Sequence, residues 1–273
     1  MPELPEVEVT KRGIEKYLTG RTISRIFFDD KSLRIPFSKE LYNLEGAEIS
    51  SVDRRAKYIV LTTTQGYLLI HLGMTGHLMV LQEDSKMGIH DHFEITTDHN
   101  IHIRMNDIRR FGLVKYYPLA SSPYESEPLK SLGPEPFSDE FNKEYLFAVL
   151  KGRKKNIKQC LMDNSIVVGV GNIYASEILF ECRINPSRKS CDVNLDECEQ
   201  IIIHTRKILK DSISRGGTTI RDFSGADGKL GYFVQELAVY GKDREPCKIC
   251  GTPIEKTVHG QRTTYYCPLC QKN

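Results

Sequence analysis

Short runs in which apolar and polar side chains alternate fill residues 22 to 117. A period of two is typical of strands that bury one face. The polar breaks between the runs predict a sandwich or barrel of short strands. The strands are expected at Ile23–Phe28, Tyr58–Thr63, Tyr67–Leu72, His92–Thr97, Ile101–Met105 and Gly112–Tyr117.

Helical spacing occupies most of the rest of the chain. A first amphipathic helix is predicted to end near Gly20. Its apolar side is formed by Val7, Ile14, Tyr17 and Leu18. A stretch rich in proline and serine, 120–136, reads as a linker, and helical spacing returns at Ser138. Helices are predicted at 138–151, 154–163, 172–183 and 196–215, the last with Asp196 and Glu199 in capping-box spacing.

The C-terminal end carries two Cys-x-x-Cys pairs, Cys247/Cys250 and Cys267/Cys270, separated by the 16 residues 251–266. This spacing is typical of a four-cysteine zinc site, in which tetrahedral Zn²⁺ is fully coordinated and structural. The β-prone runs Ile254–Val258 and Thr263–Tyr266 predict a hairpin clamped at its base, with Arg262 at or just after the tip. Two disulfides are the alternative interpretation.

Together the patterns predict an α+β chain of several domains: an N-terminal β-sandwich flanked by helices, a helical domain and a zinc β-hairpin. The expected bounds are 1–117 for the sandwich, 118–136 for the linker, 137–234 for the helical domain and 238–272 for the hairpin.

Composition excludes some classes of protein. No uncharged apolar stretch approaches the roughly 20 residues that span a bilayer, and the first residues lack a signal-peptide pattern. All eight cysteines lie in the second half of the chain, which we interpret as usage in a reducing cytosol. The formal net charge of +2 is too small to indicate nucleic-acid binding by itself, so that function must be argued from local clusters.

The chain begins Met1-Pro2-Glu3-Leu4-Pro5-Glu6. Removal of Met1, favoured by a small second residue, would leave Pro2 as a terminal secondary amine that can attack an aldehydic carbon and form an iminium ion. Terminal amines titrate near 8, about two pH units below lysine, so more of the nucleophile is unprotonated at neutral pH. Glu3 and Glu6 could transfer protons. The alternative is that Pro5-Glu6 merely starts a helix.

Other segments predict contacts with phosphates and bases. The turn Gly169-Val170-Gly171-Asn172 would present backbone N–H groups to an anion, with Arg153-Lys154-Lys155 and Lys158 adding charge, although a purely steric need for glycine explains the turn equally well. Glycine-flanked turns expose Met74, Arg109 and Phe111, which could enter a base stack, although core packing is the commoner role of such apolar residues. Lys57 is ordinarily surface charge, and His90-Asp91-His92 is interpreted as a phosphate contact or a satisfied histidine pair.

Taken together, these residues resemble the formamidopyrimidine-DNA glycosylase family, the bacterial base-excision repair enzymes that remove oxidised purines. The resemblance covers essentially the whole chain. The matching segments, in family order, are Pro2 to Glu6, His71 to Gly76, Arg109 to Gly112, Gly169 to Glu177, Gly216 to Phe233 and the zinc hairpin.

The resemblance implies a helix-two-turn-helix DNA-binding domain, one structural zinc and a catalytic mechanism. Pro2 would attack C1′ of a flipped nucleotide, and Glu3 would donate protons in base release and ring opening. Lys57 would assist β-elimination and Arg262 δ-elimination. The implied DNA contacts are His90, Arg109, Arg153 and Asn172, with Met74, Arg109 and Phe111 filling the void. A loop at 218–232 would close over 8-oxoguanine.

The family also implies a monomer that binds duplex DNA containing oxidised purines or abasic sites, in the cytoplasm at the nucleoid. Two departures stand out: Ile108 replaces a proline, which is expected to loosen the Arg109 loop, and Arg153 replaces lysine. Two alternatives stay open. One is the endonuclease VIII branch, which favours oxidised pyrimidines and typically has glycine where Leu4 stands, and the other is a non-catalytic zinc-hairpin DNA-binding protein.

Overall fold

The computed structural model describes residues 1–217 and 237–272. The chain divides into two compact units. Of the described residues, 1–131 and 215–217 form the N-terminal unit, and 132–214 and 237–272 form the helical unit. The base-recognition loop predicted at 218–232 lies outside the described residues.

The N-terminal unit contains helix α1 and two four-stranded antiparallel sheets, which confirms the predicted β-sandwich. One sheet has the order β1-β6-β7-β5 and the other β2-β3-β4-β8. Apolar side chains from both sheets and from α1 share one core. The elements are α1 (Leu4–Leu18), β1 (Ile23–Phe28), β2 (Ile49–Arg55), β3 (Tyr58–Thr63), β4 (Gly66–His71), β5 (His77–Leu81), β6 (Asp91–Thr97), β7 (His102–Asn106) and β8 (Leu113–Tyr117).

Strands β2 and β5 were absent from the sequence prediction. In β2 the buried side chains are Ile49 and Val52, three residues apart, because a register shift at Ile49/Ser51 interrupts the alternation. β5 lies at a sheet edge and buries only Leu78, so it shows little alternation. The six predicted strands are all present, with ends that differ by at most one residue.

The helical unit contains α2 (Lys143–Leu150), α3 (Ile157–Leu161), α4 (Asn172–Glu181) and α5 (Leu195–Ser214). Asn142 and Asn156 cap α2 and α3, so both helices start later than predicted. The capping box predicted at Asp196 and Glu199 is wrong. The reciprocal bonds join Asn194 and Glu197 instead, each 2.9 Å long, and start α5 one residue earlier.

The zinc hairpin consists of β9 (Glu255–His259) and β10 (Arg262–Tyr266), in agreement with the predicted pair of strands. Gly260 and Gln261 both have positive φ, as the tight turn between β9 and β10 requires. The base of the hairpin packs on Phe180 of α4 together with Val239 and Ile254. Within the described ranges, no helix is both long and apolar enough to cross a membrane.

Candidate active site and nucleic-acid interface

The N-terminal residues form a buried capping box at the start of α1. Pro2 is buried, Glu3 is 2% exposed and Glu6 is fully buried. The backbone N–H of Glu3 donates to Glu6 Oε2 at 2.9 Å, and the Glu3 carboxylate accepts the backbone N–H of Glu6. The reciprocal bonds fix the Glu3 carboxylate beside Pro2, at the positive end of the helix dipole.

Gly217, which follows the end of α5, lies against Glu6. A Cβ at this position would sit 3.2 Å from Glu6 Oε1, and its φ of +81° is in the left-handed region. Any side chain here would crowd the carboxylate that holds the Glu3 backbone.

Helix α1 is joined to the turn that carries Lys57. Glu8 accepts a hydrogen bond from Arg54 Nε at 2.9 Å, and Arg54 Nη1 donates to the carbonyl of Ala56 at 3.0 Å. Burial raises the pKa of Glu8, but hydrogen bonds from Arg12 and Arg54 outweigh it and hold the pKa below its usual value. Lys57 is 7% exposed. The position of this lysine is therefore tied to the helix that begins at the candidate nucleophile.

His71, at the end of β4, lies in the electrostatic field of the same lysine. Burial, with the positive charges of Arg34 and Lys57, lowers the pKa of His71 to about 3. Its Nδ1 accepts the backbone N–H of Gly73 at 2.9 Å, which a neutral ring can do. His71 is thus neutral at physiological pH and fixes the turn that leads to Met74.

This neutral histidine makes stability depend on pH. The unfolded chain binds a proton at His71 below about 6.5, whereas the folded chain does so only below about 3. The free energy of unfolding should therefore fall as the pH falls through this window, by up to about 1.4 kcal/mol per pH unit. Urea unfolding between pH 6.5 and 4 should show a shallower pH slope for His71→Asn than for the wild type. Parallel curves for the two proteins would contradict the assignment.

The loops that carry Met74, Arg109 and Phe111 pack directly against each other. A Cβ at Gly73 would lie 2.4 Å from the backbone carbon of Phe111, so only glycine permits this approach. The Arg109 guanidinium sits over the Phe111 ring, 4.7 Å from its centroid. Phe111 is 42% exposed. The structure therefore brings together the two loops that carry the three predicted void-filling residues, which we call the wedge, with Arg109 and Phe111 exposed and Met74 half-buried.

His90 lies beside this wedge, because its carbonyl accepts the backbone N–H of Asp107 at 2.9 Å. The loop before His90 is held by buried Arg104, which donates to Glu94 Oε2 at 2.6 Å and to the carbonyl of Ser85 at 2.7 Å. A buried guanidinium with several acceptors makes a rigid support for an exposed loop. His90 is therefore presented at a defined position next to the wedge.

In the helical unit, the structure brings Asn172 next to the zinc hairpin. Its Nδ2 donates to the carbonyl of Thr263 at 3.0 Å, one residue after Arg262. Lys158 Nζ donates to Asn172 Oδ1 at 2.7 Å and to Thr264 Oγ1 at 2.9 Å. Lys158 is only 1% exposed, so its positive charge lies inside the helical unit rather than at its surface. It orients Asn172 and joins the helical turn to β10.

Arg153 and Arg262 are both exposed in the helical unit. Arg153 Nε donates to the carbonyl of Val149 at 2.6 Å, at the end of α2. Arg262 pairs with His259 across the hairpin turn and is the first residue of β10. Both guanidinium groups are thus at the surface, where a phosphate could reach them.

Glu177 of α4 holds the segment that leads into the zinc hairpin. Its carboxylate accepts the backbone N–H groups of Ala238, Val239 and Tyr240 at 2.7 to 3.0 Å. Burial raises the pKa of Glu177 although all three bonds lower it. The segment that enters the zinc hairpin is therefore anchored on α4.

The four cysteine sulfurs of the hairpin lie within 4.8 Å of one another. Two of the separations are 3.9 Å for Cys247–Cys270 and 3.5 Å for Cys250–Cys267. Tetrahedral Zn²⁺ with bonds of about 2.3 Å places its thiolates about 3.8 Å apart, so the donor set fits zinc. All eight cysteines are free, and the disulfide alternative is wrong.

Several residues that organise the site carried no signal in the sequence. Thr75 and Asp107 contact each other from segments distant in the chain, and neither spacing nor composition reveals such pairs. Glu8 and Arg54 are likewise separated by 46 residues. An exposed charge and a buried ion pair look the same in a sequence.

Three family models match the chain. They are the formamidopyrimidine-DNA glycosylase N-terminal domain at residues 1–114, the corresponding H2TH domain at 132–224, and a zinc finger found in FPG and IleRS at 244–273. The zinc-finger match and the sulfur geometry together identify one structural zinc site.

Relatives of similar length match over their whole length. Formamidopyrimidine-DNA glycosylase of Escherichia coli O7:K1 (strain IAI39 / ExPEC) is 48% identical over 272 residues, and that of Pectobacterium carotovorum subsp. carotovorum (strain PC1) is 46% identical over 272, each covering 100% of both chains.

Solved structures agree with this result. The crystal structure of MutM (Fpg) from Thermus thermophilus has a TM-score of 0.88 at 33% identity and covers 99% of this chain and 98% of that one. A Lactococcus lactis Fpg in complex with abasic-site DNA has a TM-score of 0.90 at 30% identity, with 99% and 100% covered. The resemblance inferred from the sequence is therefore confirmed, and the chain belongs to the formamidopyrimidine-DNA glycosylase family.

Proposed function

We propose that this chain excises oxidised purines from duplex DNA through a covalent bond to Pro2 and then cuts the strand at the resulting abasic site. Family membership makes it a DNA glycosylase of base excision repair with AP lyase activity. Lactococcus lactis Fpg has been solved with DNA containing Fapy-dG and with DNA containing an abasic site. Duplex DNA carrying such lesions is accordingly the substrate of this chain.

In the first step, the Pro2 nitrogen forms a bond to C1′ of the extruded nucleotide, and the glycosidic electrons leave with the base. Extrusion costs a few kcal/mol and is cheapest at a damaged pair. The bonded nitrogen then gives up its proton, and the departing base takes one up. Glu3 donates a proton to the ring oxygen, the nitrogen lone pair expels that oxygen as the C1′–O4′ bond breaks, and C1′ becomes part of an iminium ion. The reaction requires that Met1 has been removed, because an amide nitrogen does not attack.

The iminium ion acidifies the neighbouring C–H bonds and so permits two eliminations. Loss of a C2′ proton expels the 3′ phosphate, and a second elimination expels the 5′ phosphate, leaving a one-nucleotide gap with phosphate ends. We assign Lys57 to the first elimination and Arg262 to the second. Hydrolysis of the remaining iminium ion regenerates the free amine of Pro2.

DNA binding divides between two kinds of residue. We assign Met74, Arg109 and Phe111 to the void left by the flipped nucleotide, where the wedge replaces lost base stacking. His90, Arg109, Arg153 and Asn172 are assigned to the DNA itself, with phosphate contacts that should weaken as salt rises. The loop at 218–232 is assigned to base recognition.

The domain bounds 1–117, 118–136, 137–234 and 238–272 belong to this proposal, as do a monomeric state and a cytoplasmic, nucleoid-associated location. Zinc would be held by Cys247, Cys250, Cys267 and Cys270 and would supply structure to the hairpin.

The observation that best supports the mechanism is the capping box that holds the Glu3 carboxylate beside Pro2. A proton donor is thereby fixed next to the nitrogen that must attack. The arrangement also orients α1, whose contacts through Glu8 and Arg54 reach the Lys57 turn.

Borohydride trapping tests the proposal. The processed chain, incubated with an 8-oxoguanine duplex and sodium borohydride, should form a stable covalent adduct, since hydride reduces the iminium ion to an amine. Peptide mass spectrometry should place the adduct on Pro2. An adduct on a lysine, or an active protein that retains Met1, would contradict the assignment. A duplex with an oxidised pyrimidine provides the comparison, and faster reaction there would favour the endonuclease VIII type of specificity.

A further inference from the structure

The two wedge loops are joined by one buried carboxylate, that of Asp107. Asp107 is fully buried. Its Oδ1 accepts the Thr75 hydroxyl at 2.6 Å, and its Oδ2 accepts the backbone N–H of Gly112 at 2.8 Å. The backbone N–H of Arg109 donates to Thr75 Oγ1 at 3.1 Å and to Asp107 Oδ1 at 3.3 Å. The turn that carries Met74 and the loop that carries Arg109 and Phe111 therefore share one anchor.

The side chains that make these bonds are those of Asp107 and Thr75. Ile108, which lies between Asp107 and Arg109, is 57% exposed. Arg110 has a φ of 54°, a strained region for a non-glycine residue, and its N–H reaches the Asp107 carbonyl at 3.3 Å. Such a conformation persists only when its surroundings fix it. The Asp107 carboxylate holds the residues on either side of Arg110, because it accepts the backbone N–H groups of Arg109 and Gly112.

The backbone of Asp107 is held in turn by His92, which is fully buried. His92 Nε2 lies 3.1 Å from the Asp107 carbonyl oxygen, and Nδ1 lies 2.7 Å from Asp29 Oδ2. The His92 ring therefore links the Asp107 backbone to the Asp29 side chain.

We infer that Thr75, Asp107, His92 and Asp29 form a buried brace that presets the wedge before DNA is bound. This inference depends on the proposed function, because the wedge matters only when a nucleotide leaves the duplex. The four are positioning residues, since they reach DNA only through Met74, Arg109 and Phe111. A preset wedge avoids the cost of ordering these side chains on binding.

Two variants of Thr75, which differ in whether they keep its hydroxyl group, test the inference. Thr75→Val keeps the shape of the side chain and removes the hydroxyl, whereas Thr75→Ser keeps the hydroxyl. Single-turnover base release from an 8-oxoguanine duplex should fall by about 10-fold for Thr75→Val and stay within about twofold of the wild type for Thr75→Ser. Thermal unfolding of both variants checks that the fold is retained.

A single-stranded abasic oligonucleotide separates this effect from the chemistry. It has no opposite strand and so no void to fill, and borohydride trapping on it should be equal for wild type and both variants. Equal duplex rates for Thr75→Val and wild type would overturn the brace, as would equal losses on duplex and single strand. A wild-type chain that traps neither substrate would overturn the proposed function, and the inference with it.

Discussion

Replacing Pro2 by glycine is expected to slow strand cleavage by at least about 100-fold, the loss typical of removing one catalytic group. Glycine also permits removal of Met1, so the variant still presents a free terminal amine. Its primary amine forms an imine that must be protonated before electrons can move, whereas proline forms a permanently charged iminium ion. Gel-based cleavage of an 8-oxoguanine duplex under single-turnover conditions measures the rate.

The affinity of the variant for a duplex that cannot be cleaved provides the control in that experiment. Pro2 makes a covalent bond only after the nucleotide is in place, so the Kd of Pro2→Gly for an uncleavable abasic analogue should stay within about threefold of the wild type. Equal losses of cleavage and affinity would show that Pro2 acts in binding rather than as the nucleophile.

The second large effect is expected from loss of zinc. Structural Zn²⁺ contributes on the order of 10 kcal/mol of folding free energy to small sites, and the hairpin has only a small core around Phe180 and Ile254. Chelation, or the substitution Cys267→Ser, should therefore unfold β9 and β10 and release Asn172 from Thr263. Duplex affinity should fall by at least about 100-fold, as expected when phosphate contacts and the geometry of the hairpin are lost together.

Cys191→Ser is the matched control, because Cys191 is exposed and lies outside the sulfur cluster. It should retain one bound zinc per chain and wild-type affinity. Hydrogen exchange localises the effect: residues 255–266 should lose protection in Cys267→Ser, while β3 and β4 of the N-terminal unit keep theirs. Retained affinity in a zinc-free chain would contradict a structural role for the metal in DNA binding.

Six of the eight strands of the N-terminal unit could be predicted, because short β-prone runs are separated there by polar breaks. The prediction missed β2, where a register shift places Ile49 and Val52 three residues apart, and β5, where an edge position buries only Leu78. The presence of the helices was predicted, but the residues at which they begin were not. The start of α5 depends on which of several neighbouring polar residues makes the reciprocal bonds, and Asn194 rather than Asp196 does so.

Some parts of the candidate site could be predicted from the sequence and others could not. Cysteine spacing predicted the metal cluster because its geometry is local to a hairpin. The supports of the wedge could not be predicted, because Thr75 and Asp107 meet only after β4, β5 and β7 have been arranged in their sheets. The burial of Lys158 against Asn172 and Thr264 could not be predicted either. A charge pattern gives no information about which face is covered.

The interleaved order of the two sheets has a consequence for biosynthesis. Ile26 of β1 pairs with Ile95 of β6, and Ile70 of β4 pairs with Val114 of β8. Neither sheet can be completed on the ribosome until most of the first 117 residues have emerged, and such distant pairings make folding slow. Until then α1 has no sheet to cover its apolar side, so the nascent segment that begins with the proposed nucleophile depends on later strands for protection from aggregation.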